Sequence, residues 1–591
     1  MSNLTFKISM TAPHSHLYEV EVSLEHPGEK VLFQMPAWTP GSYLIREYAR
    51  HVQDMRAYGS EGQEVAWRKV GKAAWEVDAG NQASVTLSYR VYAHELTVRT
   101  SHLDMTHGYF NGATMFACPQ GHENSPSSLI VEPAFDWIVS VALPSVGPNR
   151  FAVENFDQLV DSPVECGTHE EVVFDVASVP HRWASWGDDF DVSPYVEDIR
   201  VVIEKEIELF GELPADVDDY LFICHVQERR NGGLEHKKSQ TLGIDRRTST
   251  HAPSYEDFIT LVAHEYFHVW NVKRIRAKGL GPFNYNQEAY TPLLWMMEGL
   301  TGYYDTLIPV RAGVMSIERY LEILGERIGS LRSQPGRFVR SLEESSMDAW
   351  IKLYRPDENT PNSTISYYLK GELVALLLDF VIRDRSNGTK SLDDVMRHLW
   401  VRQRDTGQAI DPTEVDDLFE AATGLDLSKE IDAWTRGKDD LPYEELLALA
   451  GLSFAGSHKK TYDRSRMADG EKKSPAPWMG LTTLSSGGRT LIKNVISDSP
   501  AAEAGLNPGD ELLAISGLRV SHGSWQAQLA LEKDGATIEV VVARRKRLHT
   551  MTVTLNSAPF DTFKVKPKKD ASAKQRNILE SWLQRDWPTT T

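Results

Sequence analysis

The spacing of apolar residues changes character twice along the chain. In the first 170 residues or so, apolar and polar positions alternate, as they do at Val85, Leu87, Tyr89 and Val91. This period of two is typical of half-buried β-strands. After about residue 190 the apolar period becomes helical, and beyond residue 478 short strand-like runs return. The strongest helical segments are Asp257 to Val272, Leu293 to Leu307 and Ser366 to Arg383.

These changes predict a multidomain α+β chain, because 591 residues exceed what one hydrophobic core accommodates. Residues 456–477 are polar, rich in Lys, Ser, Asp and Pro, and lack an apolar period, so we interpret them as a linker. The predicted segments are an N-terminal β-sheet domain (1–172), a mainly helical domain (173–455), the linker (456–477), a β-rich module (478–556) and a C-terminal tail (557–591).

Two further helices have local signals. Asp411 is suited to be an N-cap, Pro412 to be the first helical residue and Glu414 to complete a capping box, and Gly424 would end this helix. The tail contains a short apolar run around Ile578 to Leu583, for which we predict a short helix.

Composition and charge exclude some partners. The hydrophobic share of 41% and the charged share of 25% are ordinary for globular protein. The formal net charge of −20 argues against nucleic acid or an anionic membrane as a partner, because polyanions would be repelled. No apolar run is long enough to span a bilayer.

Cysteine use points to a reducing compartment. The three cysteines, Cys118, Cys166 and Cys224, are far apart and lack CxxC spacing, so neither a disulfide framework nor a thiolate zinc site is predicted. The residues from Met1 to His16 lack the apolar run of a signal peptide. We therefore expect a cytoplasmic location.

The segment His264-Glu265-Tyr266-Phe267-His268 matches the pattern HExxH. On a helix, residues four apart lie on one face, so both imidazoles can reach one metal ion. The adjacent Glu265 is then placed to act as general base for an attacking water. The pattern predicts a zinc-dependent peptidase with His264 and His268 as metal ligands.

A catalytic zinc site needs a third protein ligand. Glu288 follows His268 by 20 residues, a spacing similar to that of thermolysin-like enzymes, but it lies in a loop-like segment. Glu298 lies on a predicted helix. We favour Glu298, because a ligand on a packed helix is held more rigidly than one on a loop.

Several motifs resemble those of known enzymes. Trp295 to Asp305 resembles the WxNEGxxxYxE segment of the aminopeptidase N superfamily, although its Glu lies further from the second His than is usual there. Gly232 to His236 resembles the GxMEN segment, and Tyr368 to Gly371 resembles the YxKG segment. The glycyl aminopeptidase family is more similar still, since it combines HEYFHxWNVKRIRP, EGxTxYYD and WxPGSYxIRxYxR, the last of which matches Trp38 to Arg50. Ala277 departs from the family's usual Pro.

The resemblance implies a thermolysin-like, mainly helical zinc catalytic domain of the gluzincin type, and a role for each matched residue. His264, His268 and Glu298 would bind one zinc ion per chain, and Glu265 would be the general base. Tyr368 would donate a hydrogen bond to the oxyanion, and Glu235 would bind the free ammonium group of the substrate. Asp305 would orient a zinc-binding His. We assign Trp38 to Arg50 a structural role and leave open that it forms a wall of the cleft.

The module after the linker resembles a PDZ domain of the bacterial protease type. Its core motif runs from Ser499 to Gly517, and Trp478 to Leu481 resembles the loop that binds a peptide carboxylate. Such domains bind a peptide as an added strand. A C-terminal peptide is therefore a candidate ligand, although a PDZ domain can also act as a packing module.

The sequence thus predicts a zinc metallo-aminopeptidase acting on peptides. The family resemblance suggests a preference for small N-terminal residues such as Gly or Ala. Two alternatives remain. One is an endopeptidase of the same superfamily, in which Glu235 binds no amine, and the other is a PDZ adaptor whose peptidase-like domain is a non-catalytic scaffold.

Overall fold

The computed structural model describes residues 3–187, 190–228, 232–458 and 477–588. The chain divides into two compact units, which we describe separately. The first unit consists of Met1–Thr291, Tyr304–Met315 and Val395–Val415, and the second of Pro292–Tyr303, Ser316–Asp394 and Asp416–Thr591.

The first unit begins with a β domain whose strands bury alternate residues. Its main sheet has seven strands in the order β13-β14-β11-β1-β2-β7-β4, and two four-stranded sheets have the orders β10-β3-β6-β5 and β12-β15-β9-β8. The strands are β1 (Leu4–Ser9), β2 (Leu17–Glu25), β3 (Lys30–Gln34), β4 (Val52–Gly59), β5 (Trp67–Gly71), β6 (Ala74–Asp78), β7 (Ser84–Tyr92), β8 (His102–Leu103), β9 (His107–Phe110), β10 (Cys118–Pro119), β11 (Ser127–Glu132), β12 (Ile138–Ser140), β13 (Ser145–Gly147), β14 (Arg150–Val153) and β15 (Val164–Gly167). Two short helices are α1 (Gly112–Met115) and α2 (Phe156–Val160).

A fourth sheet of the first unit carries the candidate site. Its order is β16-β17-β18-β20-β19, with β17, β18 and β20 parallel and β19 antiparallel at the edge. The strands are β16 (Glu171–Val176), β17 (Val179–Trp186), β18 (Tyr220–Gln227), β19 (Gly232–Glu235) and β20 (Ser239–Asp245), and the helices are α3 (Val196–Phe210) and α4 (Ala252–Phe267). Strand β18 is almost wholly buried, as expected for a central parallel strand.

The region after residue 292 is mainly helical. A π-helical turn, Trp295–Gly299, leads into α5 (Leu300–Arg311). The following helices are α6 (Ile317–Arg332), α7 (Leu342–Met347), α8 (Thr360–Ser363), α9 (Tyr367–Arg385), α10 (Leu392–Thr406), α11 (Val415–Thr423), α12 (Ser428–Ile431) and α13 (Tyr443–Leu449). Helix α9 is buried along nearly its whole length, which explains its apolar composition.

The C-terminal part of the second unit contains the PDZ fold. Its sheet has the order β23-β24-β25-β27-β28, with β26 paired to β25. The elements are β21 (Leu452–Ser457), β22 (Pro477–Trp478), β23 (Leu481–Ser486), β24 (Arg489–Val495), α14 (Pro500–Glu503), β25 (Glu511–Ile515), β26 (Leu518–Arg519), α15 (Trp525–Leu529), β27 (Thr537–Arg544), β28 (Arg547–Thr554), β29 (Asn556–Ser557), β30 (Thr562–Pro567) and α16 (Ala573–Leu583). The strand-like runs expected beyond residue 478 are thus present as strands.

The chain returns to the helical region after the PDZ fold. Strand β30 pairs antiparallel with β21, with Ser457 opposite Thr562. Helix α16 then buries Trp582 against Tyr320 and Phe380, and the Trp582 indole N–H donates to Tyr303 Oη at 2.8 Å. The PDZ fold is therefore inserted between two paired strands, and the segment that follows it completes the helical core.

Most predicted elements are present, and the largest shift in boundaries is that of helix α4. The Asp411–Glu414 capping box is confirmed, Gly424 has a φ of 73°, and α16 includes the helix predicted around 578–583. Helix α4, in contrast, begins at Ala252 and ends at Phe267, short of the predicted Val272. Just beyond this helix end, the Asn271 carbonyl oxygen lies 2.6 Å from His268 Nδ1.

The predicted linker, 456–477, lies mostly outside the described residues. All three cysteines are buried and free. Among the described residues, no helix is both long enough and apolar enough to cross a membrane.

Candidate active site

Helix α4 presents the HExxH motif at its C-terminal end. His264 lies in the last turn, and His268 is the C-cap residue. Their rings lie 4.8 Å apart, centroid to centroid, with their planes nearly perpendicular. The predicted spacing therefore places both imidazoles on one side of the helix end, as a shared metal ion requires.

The Nδ1 atom of each of the two rings has its own hydrogen-bond partner. His264 Nδ1 lies 3.0 Å from Asp305 Oδ2, and His268 Nδ1 lies 2.6 Å from the carbonyl oxygen of Asn271. Each Nδ1–H then donates, which leaves Nε2 as the nitrogen suited to a metal. The structure thus brings Asp305 to His264, where the resemblance implies it.

The carboxyl group of Glu206 on α3 lies close enough to His264 and Asp305 to interact with both electrostatically. It is fully buried, and burial raises its pKa well above the ordinary value, despite the opposing effect of His264. Burial therefore favours the protonated form of this carboxyl group. Its two oxygens have no hydrogen-bond partner among the described residues. Glu206 could not be singled out from the sequence, because an acid within an amphipathic helix is usually exposed.

Glu265 faces the edge strand β19. The carboxylate lies directly over Gly233, where an added Cβ would be 2.2 Å from Oε1. One ligand atom from each of Glu235, Glu265 and His268 lies within 4.8 Å of the others. Strand β19 therefore brings Glu235 close to the HExxH helix, and Gly233 provides the space for Glu265.

The N-terminal motif packs against Glu235. An added Cβ on Gly41 would lie 2.6 Å from Glu235 Oε1, and Gly41 has a φ of 80°. A small cavity beside Glu235, of about 20 Å³, is lined by Trp38, Tyr43 and Phe283, among other residues. Part of Trp38 to Arg50 thus forms a wall next to Glu235, the alternative that the sequence left open.

The segment after the motif is anchored to the β domain. Lys273 Nζ donates to Asp161 Oδ1 at 2.6 Å, and His236 Nδ1 lies 3.3 Å from the same oxygen. Burial would raise the pKa of Asp161, but Lys273 and His236 together hold it well below the ordinary value. This charged network fixes the residue after Glu235 relative to the segment after His268.

In the second unit, Glu298 and Tyr368 lie on neighbouring elements. Glu298 lies in the π-helical turn 295–299 and is 2% exposed. The next residue, Gly299, packs so closely on α9 that an added Cβ would be 2.6 Å from the Cα of Gly371. Tyr368 is a partly buried residue in the first turn of α9, three residues before Gly371. Each of the two predicted motifs therefore contributes one glycine, Gly299 or Gly371, to this close contact.

The competing carboxylate differs in setting. Glu288 lies in neither a helix nor a strand and is partly exposed. Among the described residues, no group of three potential ligands includes it. A larger cavity, of about 380 Å³, lies in the β domain beside Tyr48 and His94, and none of the predicted catalytic residues lines it.

A buried HExxH helix end, imidazoles oriented through Nδ1 and an adjacent pair of carboxylates define a metallopeptidase. Family models agree: residues 5–168 match the Peptidase M61 N-terminal domain, 257–374 match M61 glycyl aminopeptidase and 477–555 match the PDZ domain. The chain belongs to the M61 glycyl aminopeptidase family and is a metallo-aminopeptidase.

Solved structures extend this comparison. An aminopeptidase N family protein from Idiomarina loihiensis is 29% identical with a TM-score of 0.90, over 98% of this chain and 100% of that chain. An M1 zinc metallopeptidase from Deinococcus radiodurans is 13% identical with a TM-score of 0.46, over 74% of this chain and 94% of that one. None of the curated proteins compared matches this chain.

Sequence reasoning missed the residues that support the catalytic groups. Gly41 and Gly233 matter because a carboxylate passes over each, and Asn271 acts through its backbone carbonyl. The only available signal was the presence of both glycines within recognised motifs. The contacts themselves depend on the tertiary fold.

Proposed function

We propose that the protein is a zinc aminopeptidase that removes small N-terminal residues, such as Gly or Ala, from peptides. The observation that carries this proposal is the buried Glu235 carboxylate close to Glu265 and His268. Two buried carboxylates at this separation favour the binding of a cation beside them. The free ammonium group of a peptide substrate is a cation that Glu235 could bind.

The residues present fit a zinc ion. His264, His268 and Glu298 would hold one Zn²⁺ per chain, since both imidazoles are oriented through Nδ1 by Asp305 and the Asn271 carbonyl. When bound, zinc acts as a Lewis acid that polarises the scissile carbonyl and makes water a better nucleophile.

The choice of Glu298 rests on its position in the helix. It is buried, and it lies seven residues before Asp305 in one run of π- and α-helix, so the two carboxylates lie close to one face. π-Helical turns within helices occur frequently at functional sites. Glu298→Gln should therefore lower zinc content far more than Glu288→Gln. The reverse order would assign the ligand to Glu288.

Each of the chain's own residues at the site would have a separate role in the reaction. Glu235 binds the substrate ammonium and places the first peptide bond at the site. Glu265 takes a proton from the attacking water and gives it to the leaving amine, while the Tyr368 hydroxyl donates a hydrogen bond to the developing oxyanion. Asp305 keeps His264 in the required tautomer.

The preference for small residues follows from the cavity beside Glu235. Its volume of about 20 Å³ has room for one or two water molecules. Trp38 and Phe283 pack edge to face at 5.6 Å and limit its expansion. A methyl group fits such a space, whereas a Leu or Phe side chain would require these rings to move.

A substrate comparison tests the proposal. Unblocked glycyl and alanyl substrates should be cleaved, N-acetylated forms should be cleaved poorly, and a strong chelator should abolish both activities. Equal cleavage of free and acetylated peptides would favour an endopeptidase. A folded, zinc-loaded protein without any peptidase activity would favour the PDZ adaptor.

For the PDZ fold we propose a peptide with a free C-terminus as ligand. Strand β23 is the edge strand of its sheet, and Gly480 in the adjoining loop has a φ of 79°. An added strand on β23 would bring the peptide carboxylate to the backbone N–H groups of that loop. Titration with a peptide and its C-terminal amide should show binding of the free acid alone; equal affinity for both would contradict carboxylate recognition.

A further inference from the structure

The PDZ fold hydrogen-bonds to one segment of the helical region. Asn362 Nδ2 donates to the Val495 carbonyl at 2.8 Å, and Asn362 Oδ1 accepts from the Ser497 N–H at 2.9 Å. Asn494 Nδ2 donates to the Glu358 carbonyl at 3.0 Å. The two asparagines thus join the end of β24 to residues 358–362, which we call the bridging segment.

The bridging segment is connected to Tyr368 from both of its ends. On the N-terminal side, Tyr354 Oη lies 3.4 Å from Tyr368 Oη. On the C-terminal side, Asn362 lies in α8, only six residues before Tyr368. A shift of the segment would therefore be transmitted to the Tyr368 hydroxyl by a hydrogen bond and by a short stretch of backbone.

The short stretch between Asn362 and Tyr368 is tightly held. Ile365 is fully buried, and its carbonyl accepts from Ser345 Oγ at 2.5 Å. The backbone of Thr364 passes so close to Gly336 that an added Cβ there would be 2.4 Å from the Thr364 oxygen. The backbone between Asn362 and Tyr368 therefore has little freedom to rearrange. A displacement of Asn362 would be expected to tilt the first turn of α9.

Within the PDZ fold, Asn494 is also tied to the edge strand. Its Oδ1 accepts from Thr482 Oγ1 at 2.8 Å, and Thr482 is the second residue of β23. Asn494 is 8% exposed, so both of its hydrogen bonds are shielded from solvent. The contact with the bridging segment is therefore built into the sheet and does not depend on a surface side chain.

From these contacts we infer that the PDZ fold is a positioning element for catalysis: Asn362 and Asn494 hold the bridging segment and thereby aim the Tyr368 hydroxyl. This inference rests on the proposed role of Tyr368. An oxyanion donor acts through its preorganised position, and a misplacement of about 1 Å can cost about 10²-fold in rate. The PDZ contact would therefore affect turnover more than substrate binding.

The test is a double-mutant cycle in the full-length chain. Asn362→Ala and Asn494→Ala are each made alone and together with Tyr368→Phe, and kcat and KM are measured on an unblocked alanyl anilide. Lys493→Ala is the matched control, because Lys493 is the exposed neighbour of Asn494 on β24. Melting temperature and zinc content establish that each variant is folded and metal-loaded.

We expect each asparagine variant to lower kcat about 10-fold with little change in KM, as misplacement of a catalytic group does. In the Tyr368→Phe background the same changes should have almost no further effect on kcat. Lys493→Ala should behave as wild type. If one asparagine variant fails to fold, the other, made from the opposite side of the contact, gives the same test.

Three outcomes would overturn the inference, and they are distinguishable. Wild-type kcat in both folded asparagine variants would show that the contact does not position Tyr368. An equal loss of kcat with and without the Tyr368 hydroxyl would show that the contact acts on something else. Near wild-type kcat in Tyr368→Phe itself would instead refute the proposed role of Tyr368, and the inference with it.

Discussion

The first unit contains two buried groups of histidines and glutamates, and their geometries differ. One consists of Glu235, Glu265, His264 and His268, and we call it the catalytic group after its proposed role. The other, which we call the β-domain group, consists of His107, Glu165 and His225. Potential ligand atoms lie within 4.8 Å of one another in the β-domain group, and so do those of Glu235, Glu265 and His268 in the catalytic group. Proximity alone therefore does not distinguish the two groups.

The hydrogen bonds do distinguish them. In the β-domain group, His107 Nδ1 lies 2.8 Å from one oxygen of Glu165, and His225 Nε2 lies 2.9 Å from the other. Both imidazoles thus turn toward a single carboxylate and satisfy it. In the catalytic group, the partners of His264 and His268 are Asp305 and a backbone carbonyl, which take only Nδ1.

The comparison offers a criterion for a candidate metal site, which is the position of the partners that hold the non-ligand nitrogens of its imidazoles. Imidazoles that are fixed through Nδ1 by partners outside the group present Nε2 to an ion. Imidazoles that donate to a shared carboxylate instead occupy the oxygen atoms that an ion would need. The β-domain group is also completely buried, with Trp186 stacked on His107 at a centroid distance of 3.8 Å. We interpret it as a structural network that holds β9, β15 and β18 together.

The sharpest contrast should come from the two glutamates at the centres of these groups. Glu265→Gln should keep zinc but lower kcat by about 10²–10⁴, because the amide cannot accept a proton from water. Glu165→Gln, the matched control, should leave kcat and zinc content unchanged. Near wild-type kcat in Glu265→Gln would contradict its role as general base.

Substitution of Asp305 should have a smaller effect, and we expect that effect on metal affinity. Asp305→Asn removes the charge that fixes the His264 tautomer, and loss of such a partner typically weakens metal binding about 10–100-fold. Competition with a fluorescent chelator measures the change. Unaltered zinc affinity would mean that the 3.0 Å contact serves folding alone.

The packing under Glu235 can be tested with one methyl group. In Gly41→Ala the new Cβ would meet the Glu235 carboxylate, so KM for unblocked substrates should rise about 10-fold, or about 1.4 kcal/mol. Gly62→Ala is the control, because Gly62 has the same φ of 80° and no heavy atom within 4 Å of an added Cβ. Equal effects of the two substitutions would attribute the change to backbone strain.

The smallest expected effect is on stability. Burial alone would raise the pKa of Glu165, but His107 and His225 lower it to about 2, from an ordinary value of 4.5. Because the native pKa is depressed, its stabilising contribution is complete above pH 4.5 and is lost as the pH falls toward 2. With chelator present throughout, the melting temperature of the wild type should therefore fall more steeply below about pH 5 than that of Glu165→Gln. Parallel curves of melting temperature against pH would show that protonation of Glu165 does not change the stability of the fold.

The sequence was most informative where local chemistry decides structure. The HExxH spacing, the Asp411 capping box and the alternation in β7 each depend on a few neighbouring residues, and each is present. The β-domain group could not be predicted, because His107, Glu165 and His225 lie on three strands that only the tertiary fold brings together. The same holds for Asp161, which pairs with Lys273 more than a hundred residues away.

The role of the region beyond the PDZ fold was also not predictable. Its Lys-rich composition gave no sign that β30 pairs with β21 or that Trp582 enters the helical core. The buried face of α16 contains few residues, and its partners lie on α6 and α9, hundreds of positions earlier. Sequence periodicity indicates that a face is apolar, but not what covers it.

Zinc stoichiometry, measured together with activity, tests the central claim most directly. Purified wild-type protein should contain one zinc per chain, lose it and all aminopeptidase activity to a strong chelator, and recover both when zinc is added. His264→Ala should lose the zinc, and His225→Ala should keep it. Full activity in metal-free protein, or zinc that is lost from His225→Ala but kept by His264→Ala, would contradict the account.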